Sequence, residues 1–89
     1  MKGWFVYILR CCDGTLYTGT TVDVARRLVA HQTGVGAKYT RSRLPVTLVY
    51  HERHPNRSSA LRREAALRRM GREAKQTLIT RPAAPDAYS

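Results

Sequence analysis

Apolar and polar residues alternate along the chain in segments that predict strands first and helices later. Residues 4–10 are aromatic and β-branched and apolar on both faces, which is typical of a strand covered on both sides. Asp13-Gly14 predicts a tight turn, and residues 15–20 return as a second strand. Residues 46–52 have the composition of a third strand. The chain therefore begins with a β-hairpin and adds one further strand.

Two turns are compatible with this hairpin, and they place its tyrosines differently. A two-residue loop pairs Arg10 with Tyr17 and directs Tyr7 and Tyr17 to opposite faces, because side chains alternate along a strand. A three-residue loop with Gly14 in the left-handed conformation pairs Leu9 with Tyr17 and brings both tyrosines to one face. If the two tyrosines act together, the three-residue loop is required.

The remaining segments have helical signals. We predict helices at about residues 23–32, 37–43, 59–70 and 72–80, the second of them a single basic turn. Thr21 or Asp23 can cap the first helix, and Ser58 or Ser59 the third. The predicted fold is α+β, a small three-stranded, mainly antiparallel sheet flanked by helices in the order β-β-α-β-α-α, in which the single turn at 37–43 is not counted. We assign residues 1–80 to one domain and residues 81–89 to a flexible tail.

The third predicted helix carries a carboxylate on its apolar face. On a helical wheel Glu64 lies near the centre of the stripe that Leu61, Leu67 and Met70 form, and Arg63 points away from this stripe. A buried carboxylate is costly unless a cation or a metal meets it, which favours a metal ligand. The alternative is a surface ion pair between Glu64 and Arg68, four residues later. The wheel alone does not separate these two interpretations.

The charge of the chain indicates a polyanionic partner. There are 16 Lys and Arg against 6 Asp and Glu, a net charge of +10, and thirteen of the cations are arginine. Such a charge favours nucleic acid or an anionic membrane, and a guanidinium suits phosphate because it donates two hydrogen bonds at once. The alternative is a basic surface that has no polyanionic partner. No apolar run approaches the roughly 20 residues of a membrane span. The candidate phosphate contacts outside the catalytic set are Lys38, Arg41, Arg43, Arg57, Arg62 and Arg69.

The cysteines indicate a reducing compartment. Cys11 and Cys12 are adjacent and cannot connect distant parts of the chain, and no signal peptide pattern precedes them. Their spacing from the three histidines does not match a zinc site. We therefore expect a cytoplasmic protein.

Five residues have the chemistry that phosphodiester hydrolysis needs. The reaction requires a water, a group that takes its proton, positive charge on the phosphate and help for the leaving oxygen. Tyr7 and Tyr17 can carry a proton or orient water, and Arg27 can bind phosphate. His31 can share a proton or bind phosphate, and Glu64 can hold a divalent metal. Each residue alone is a weak indication, and the set is stronger.

The order and spacing of these residues resemble the GIY-YIG nucleases, in particular their small stand-alone bacterial branch. The segments that carry the resemblance are Phe5-Val6-Tyr7, Tyr17-Thr18-Gly19, the helix at 20–34, the third strand and residues 59–64. The resemblance implies that Tyr7 and Tyr17 position or deprotonate the attacking water. It implies that Arg27 binds phosphate, that His31 lies near the nucleophile, and that Glu64 is the single ligand for Mg²⁺ or Mn²⁺.

The resemblance also implies a function. We expect a metal-dependent endonuclease that acts on DNA, with RNA possible, and that selects structures met in repair or recombination. With no specificity domain in the matched region, a protein partner or a homodimer would supply further selectivity. A nucleic-acid binding module with little or no cleavage is the alternative.

The glycine of the second signature also fits the resemblance. For Gly19 we expect that a side chain would crowd substrate or helix.

Overall fold

The computed structural model describes residues 3–80, which form one small α+β fold as predicted. In chain order the elements are β1 (Trp4–Arg10), β2 (Leu16–Thr21), α1 (Val24–Gln32), α2 (Lys38–Arg41), β3 (Thr47–His54), α3 (Arg57–Arg69) and α4 (Arg72–Thr80). The predicted tail at residues 81–89 lies outside the described residues, as do residues 1 and 2. No helix within residues 3–80 is long and apolar enough to cross a membrane.

The sheet is antiparallel and has β1 in its centre. The strand order is β2-β1-β3, so β1 is bonded on both sides. Val6 and Ile8 are fully buried on one face of the sheet, and Tyr7 and Leu9 are buried on the other. Burial on both faces explains why this strand is apolar at every position from Trp4 to Leu9.

The hairpin closes with the three-residue loop. Leu9 lies opposite Tyr17, and the N–H of Cys11 donates to the carbonyl of Thr15 at 2.8 Å. Gly14 has a φ of 85°, the left-handed conformation that glycine adopts without strain. The observed register is the one that the three-residue loop predicts, and it places Tyr7 and Tyr17 on the same face of the sheet.

Helices cover both faces of the sheet. On the face of Val6 and Ile8, the core includes Ala60 and Leu67 of α3. On the face of Tyr7 and Leu9, partly buried Leu28 of α1 packs into a second core. The two tyrosines therefore lie between the sheet and the α1–α2 segment, while α3 lies on the opposite side.

The start of α3 differs from the prediction. The helix begins at Arg57, and the side chain of Asn56 caps it by accepting from the N–H of Ser59 at 2.8 Å. The expected caps Ser58 and Ser59 are therefore wrong, and both lie inside the first turn. Asn56 is the N-cap residue because its backbone is still extended, and the helical conformation begins only at the next residue. The cap predicted for α1 is confirmed at Asp23, which accepts from the N–H of Arg26.

The buried face of α3 is also rotated from the predicted stripe. Leu61 and Ala65 are exposed, whereas Arg63, expected to point outward, is half-buried and donates Nε to Glu52 of β3 at 2.9 Å. The Glu52 carboxylate gives Arg63 a charged partner between α3 and the sheet, and this ion pair accounts for the inward position of Arg63. Glu64 remains on the inner face, with 17% of its side chain exposed.

Candidate active site

A chain of three hydrogen-bonded side chains lies at the centre of the site. The Tyr7 hydroxyl lies 2.9 Å from Nε2 of His31, and Nδ1 of His31 lies 2.7 Å from the Thr40 hydroxyl. That hydroxyl donates to the carbonyl of Ala37 at 3.0 Å, so it accepts from Nδ1–H. The contact from the Ala37 N–H to Nδ1, at 3.5 Å, is too long to compete. Nε2 is then the acceptor for the Tyr7 hydroxyl proton.

The environment keeps both ends of this contact neutral. Burial raises the pKa of Tyr7 above its ordinary value, and the positive charge of Arg27 opposes that shift only in part. Burial, together with the charge of Arg27, lowers the pKa of His31 below its ordinary value. At neutral pH Tyr7 is therefore a phenol and His31 an uncharged imidazole that is able to accept a proton.

Two glycines allow this chain to form. A Cβ on Gly19 would lie 2.5 Å from the Tyr7 hydroxyl oxygen and 2.7 Å from its ring carbon Cζ. A Cβ on Gly36 would lie 2.5 Å from Nδ1 of His31. The protein group that a side chain at Gly19 would crowd is the Tyr7 ring, whereas the expectation had named a helix. The ring crosses Gly19 because these two residues face each other in the β1–β2 register.

Tyr17 is held by ring contacts. Its ring stacks on Tyr39 with centroids 5.9 Å apart and 23° between the planes, and it meets the edge of His31 at 5.4 Å. The guanidinium of Arg43 covers the Tyr39 ring at 4.0 Å and is fixed by Asp13 at 3.1 Å. The hairpin turn and α2 thus fix the position of Tyr17 from one side.

Glu64 reaches the site from the other face of the sheet, across β2. Its Oε1 accepts from the Thr20 hydroxyl at 3.5 Å, and its Oε2 pairs with Arg68 at 2.8 Å. Arg68 also donates to the carbonyl of Thr18 at 2.8 Å and lies 5.8 Å from the centre of the Tyr17 ring. Because β2 is an edge strand of this sheet, α3 can place these two charged side chains on its rim. The ion pair with Arg68, which was the alternative interpretation of Glu64, is therefore present, and the carboxylate that forms it is half-buried.

The structure brings the five predicted catalytic residues into one region. Tyr7, Tyr17 and His31 are in mutual ring contact, with centroids 5.4 to 6.5 Å apart. The charges of Arg27 and Glu64 both contribute to the pKa of Tyr7, so both side chains lie within electrostatic range of this phenol. Arg27 is only half-buried, which leaves its guanidinium accessible to a phosphate.

The donor set suits Mg²⁺ or Mn²⁺ bound by one carboxylate. Mg²⁺ usually keeps several waters and uses one or two carboxylates together with substrate phosphate. Glu64 offers Oε1, whose only close partner within residues 3–80 is the Thr20 hydroxyl at 3.5 Å. No group of three or more His, Cys, Asp or Glu side chains converges in this part of the chain, so an all-protein metal cage is not present there.

The predicted phosphate contacts are spread over two regions. Lys38 and Arg41 are exposed on α2, and Arg43 is engaged with Asp13 and with the carbonyl of Tyr39 at 2.8 Å. On α3, the exposed arginines of this set are Arg57, Arg62 and Arg69.

Comparison with known proteins identifies the family. The family model of the GIY-YIG catalytic domain matches residues 3–76. The chain belongs to the GIY-YIG family. This match agrees with the positions of the signature tyrosines on one face of the β1–β2 hairpin.

Relatives of this GIY-YIG domain are small proteins of similar length. A UPF0213 protein of Streptococcus sanguinis is 53% identical over 84% of this chain and 86% of its own, and one of Natronomonas pharaonis is 48% identical over 84% and 88%. The solution NMR structure of a UPF0213 protein of Bacillus halodurans is 42% identical, covers 96% of this chain and 89% of its own, and has a TM-score of 0.59. A solution structure of an E. faecalis protein is 34% identical over 94% and 93%, with a TM-score of 0.56.

Several residues of the site were missed by sequence reasoning. Thr40 fixes the tautomer of His31, Tyr39 stacks on Tyr17, and Gly36 makes room for the imidazole. Arg68 had been considered only as a surface partner of Glu64. A signal was present at residues 36–40, where a glycine, an aromatic residue and a hydroxyl fall within one turn, but only the three-dimensional contacts assign them a role.

Proposed function

We propose that this GIY-YIG domain is a metal-dependent endonuclease that hydrolyses phosphodiester bonds in DNA, with RNA as the second candidate substrate. The observation that carries the proposal is the neutral hydrogen-bonded chain from Tyr7 through His31 to Thr40, with Arg27 and Glu64 within electrostatic range of its phenol. What supports a catalytic role is that the phenol donates to an uncharged imidazole, so that a proton can move from Tyr7 to His31 without separating the pair from a fixed carboxylate.

The attacking water gives its proton to this chain. The proton moves to the Tyr7 oxygen while the phenol's own proton moves to Nε2 of His31. The phenol stays neutral throughout, so its raised pKa does not oppose the step. The Thr40 hydroxyl holds Nδ1–H of the resulting imidazolium, as it does in the resting state. This route assigns the proton transfer to Tyr7 and not to Tyr17.

The other residues handle the phosphate. Arg27 binds the nonbridging oxygens, whose negative charge grows as the water attacks. Tyr17 orients the water or the phosphate with its hydroxyl, on a ring fixed between Tyr39 and Arg68. A Mg²⁺ or Mn²⁺ ion held at Glu64 would stabilise the leaving oxygen. Exposed arginines of α2 and α3 bind the flanking backbone.

The alternative is a nucleic-acid binding module with little cleavage, and one contact favours it. Arg68 neutralises Glu64 at 2.8 Å, which lowers the demand of that carboxylate for a metal. If the ion pair persists on the nucleic acid, binding would be strong and salt-sensitive without turnover. The metal requirement of cleavage separates the two functions.

We extend the proposal to the setting in which the enzyme acts. The thiols of Cys11 and Cys12 are both free, which suits the reducing cytoplasm. Selection of branched or damaged structures would fit repair or recombination. A protein partner or a homodimer would narrow the choice further.

The test is cleavage of labelled duplex, single-stranded, branched and RNA substrates with Mg²⁺, with Mn²⁺ and with chelator. We expect metal-dependent cleavage that falls about 100-fold or more in Arg27→Ala and in Glu64→Ala. Arg72→Ala and Glu73→Ala are matched controls, because both residues are exposed on α4. Full activity in either active-site variant would overturn the mechanism. Binding without cleavage under every metal condition would favour the alternative.

A further inference from the structure

A second concave surface adjoins the site and shares Arg27 with it. It is a cavity of about 900 Å³ between the start of β1, α1 and the connection from β3 to α3. Trp4 and Phe5 form its aromatic part, and the side chains of Arg26, Arg27 and Arg57 contribute its cations. Small-molecule sites usually measure about 300 to 1,000 Å³, so the cavity is large enough for one nucleotide.

The cavity is continuous with the candidate active site through Arg27, which borders both. Phe5 and Tyr7 lie on the same face of β1, two residues apart, which corresponds to about 7 Å along the strand. Thr21, opposite Phe5, follows Gly19, opposite Tyr7, by the same step. A phosphate bound at Arg27 would therefore place the adjacent nucleotide at the mouth of the cavity.

The lining has the chemistry of a base and a phosphate. Arg57 lies 5.9 Å from the centre of the Trp4 ring, an arrangement of cation and aromatic ring on which a base can stack. The first turns of α1 and α3 both line the cavity, and the positive ends of their dipoles add to the arginine charges. Asp23 is the lining carboxylate, and one of its oxygens accepts from the Arg26 N–H as the α1 cap.

We propose that this cavity is a nucleotide subsite, which takes the base and phosphate of the nucleotide next to the cleaved bond. The proposal rests on the proposed function, because the active site supplies the neighbouring phosphate through Arg27. The ligand class is a nucleoside monophosphate unit, either within a strand or free. The base stacks beside Trp4 and Phe5, and Arg57 binds the phosphate.

Trp4 provides a direct reporter, since it is the only tryptophan of the chain. The first experiment titrates the full chain, in chelator, with a nucleoside 5′-monophosphate, with deoxyribose 5-phosphate and with inorganic phosphate, and follows Trp4 fluorescence. We expect a saturable change, with the nucleotide bound more tightly than the two base-free probes. Equal midpoints for all three probes would reduce the cavity to a general anion site and overturn the proposal, as would no saturable change.

Variants test which residues bind the nucleotide. Arg57→Ala removes a charged donor and is expected to weaken nucleotide binding about tenfold, measured as the midpoint because the variant also alters the surroundings of Trp4. Arg72→Ala removes the same charge on α4, and its midpoint is expected to match that of the wild type. Equal midpoints for Arg57→Ala and Arg72→Ala would remove Arg57 from the site and contradict the proposal.

A second experiment links the cavity to cleavage. A cleaved oligonucleotide is prepared as a series with one abasic residue at successive positions around the cut. We expect one flanking position at which loss of the base slows cleavage and raises KM. If the enzyme is active and cleaves every abasic substrate at the same rate and KM, the proposed subsite is overturned while the proposed nuclease activity is supported. Nucleotide binding at Trp4 without cleavage of any substrate would instead support the cavity and overturn the nuclease.

Discussion

The two faces of the sheet each bury a tyrosine, a histidine and a hydroxyl, but their hydrogen bonds differ. On one face Tyr7, His31 and Thr40 form an uncharged chain. On the other, Tyr50 and His54 both bond Glu52, and the His54 ring also bonds Ser59 at 2.7 Å. The first cluster contains no formal charge of its own, whereas the second is organised around a carboxylate.

The carboxylate makes the second cluster rigid. Glu52 accepts from Tyr50 at 2.5 Å and from Arg63 at 2.9 Å, and lies 2.6 Å from His54. Burial alone would raise the pKa of Glu52, but these hydrogen bonds hold it below its ordinary value. Burial, with the carboxylate beside it, raises the pKa of Tyr50 to about 12. These hydrogen bonds connect β3 to α3 through one carboxylate, which is the organisation of a structural contact.

The first cluster keeps a proton that can move. His31 is uncharged and already accepts from Tyr7, and the adjacent charges of Arg27 and Glu64 are not part of the chain. Saturation of a fixed charge by hydrogen bonds suits a structural role, whereas an uncharged chain with charges nearby suits the catalytic role that we propose for it.

The largest effect is expected for Gly19→Ala. The new Cβ, 2.5 Å from the Tyr7 hydroxyl, displaces the phenol from His31, and a shift of about 1 Å costs about 100-fold in rate. Cleavage rate and thermal midpoint are measured together. Gly71→Ala is the control, because a Cβ there meets nothing within 4 Å. A Gly19→Ala enzyme with wild-type kcat would show that the Tyr7 contact is structural.

The next effect is expected for Glu52→Gln, and it falls on stability. Loss of the carboxylate leaves Arg63 and His54 with a weaker acceptor, which costs about 2 kcal/mol and lowers Tm by about 10 °C. The rate per folded molecule, measured well below Tm, should stay within about twofold of the wild type. If that rate falls with an unchanged Tm, the second cluster belongs to the reaction.

The smallest effect is a pH dependence that differs between the clusters. The pKa of His31 is lower folded than unfolded, so the unfolded chain binds more protons and stability falls as the pH drops below about 6.5. The pKa of Glu52 is also lower folded, and the stability it contributes is lost below about 4.5. Denaturant unfolding across this pH range measures both losses.

Two variants assign these losses to their residues. His31→Gln should remove the loss near pH 6.5 and abolish cleavage, whereas Glu52→Gln should reduce only the loss at lower pH. An unchanged profile in His31→Gln would contradict the assignment of the first step. Cleavage by the wild type should decline over the range in which His31 becomes protonated, because a protonated Nε2 cannot accept from Tyr7.

The local elements were predictable because their signals are local. The β-branched run of β1, the glycine of the hairpin turn and the glycine break before α4 each act over a few residues, and all were placed within a residue or two. The cap of α3 was wrong because Asn56 and the two serines have similar cap preferences, and only the end of β3 decides among them. The predicted exposed face of α3 was wrong because Arg63 pairs with the Glu52 carboxylate on β3, a partner that the sequence pattern of the helix does not show.

The sequence by itself determined the strands, the helices and the family signature, since these depend on periodicity and on residue type at fixed spacing. It left open which hairpin turn forms, and hence whether Tyr7 and Tyr17 share a face. Only the tertiary structure decided this, together with the bond from Tyr7 to His31 and the pairing of Glu64 with Arg68. The physical reason is that these contacts join separate elements, and their geometry follows from how β1, α1 and α3 pack.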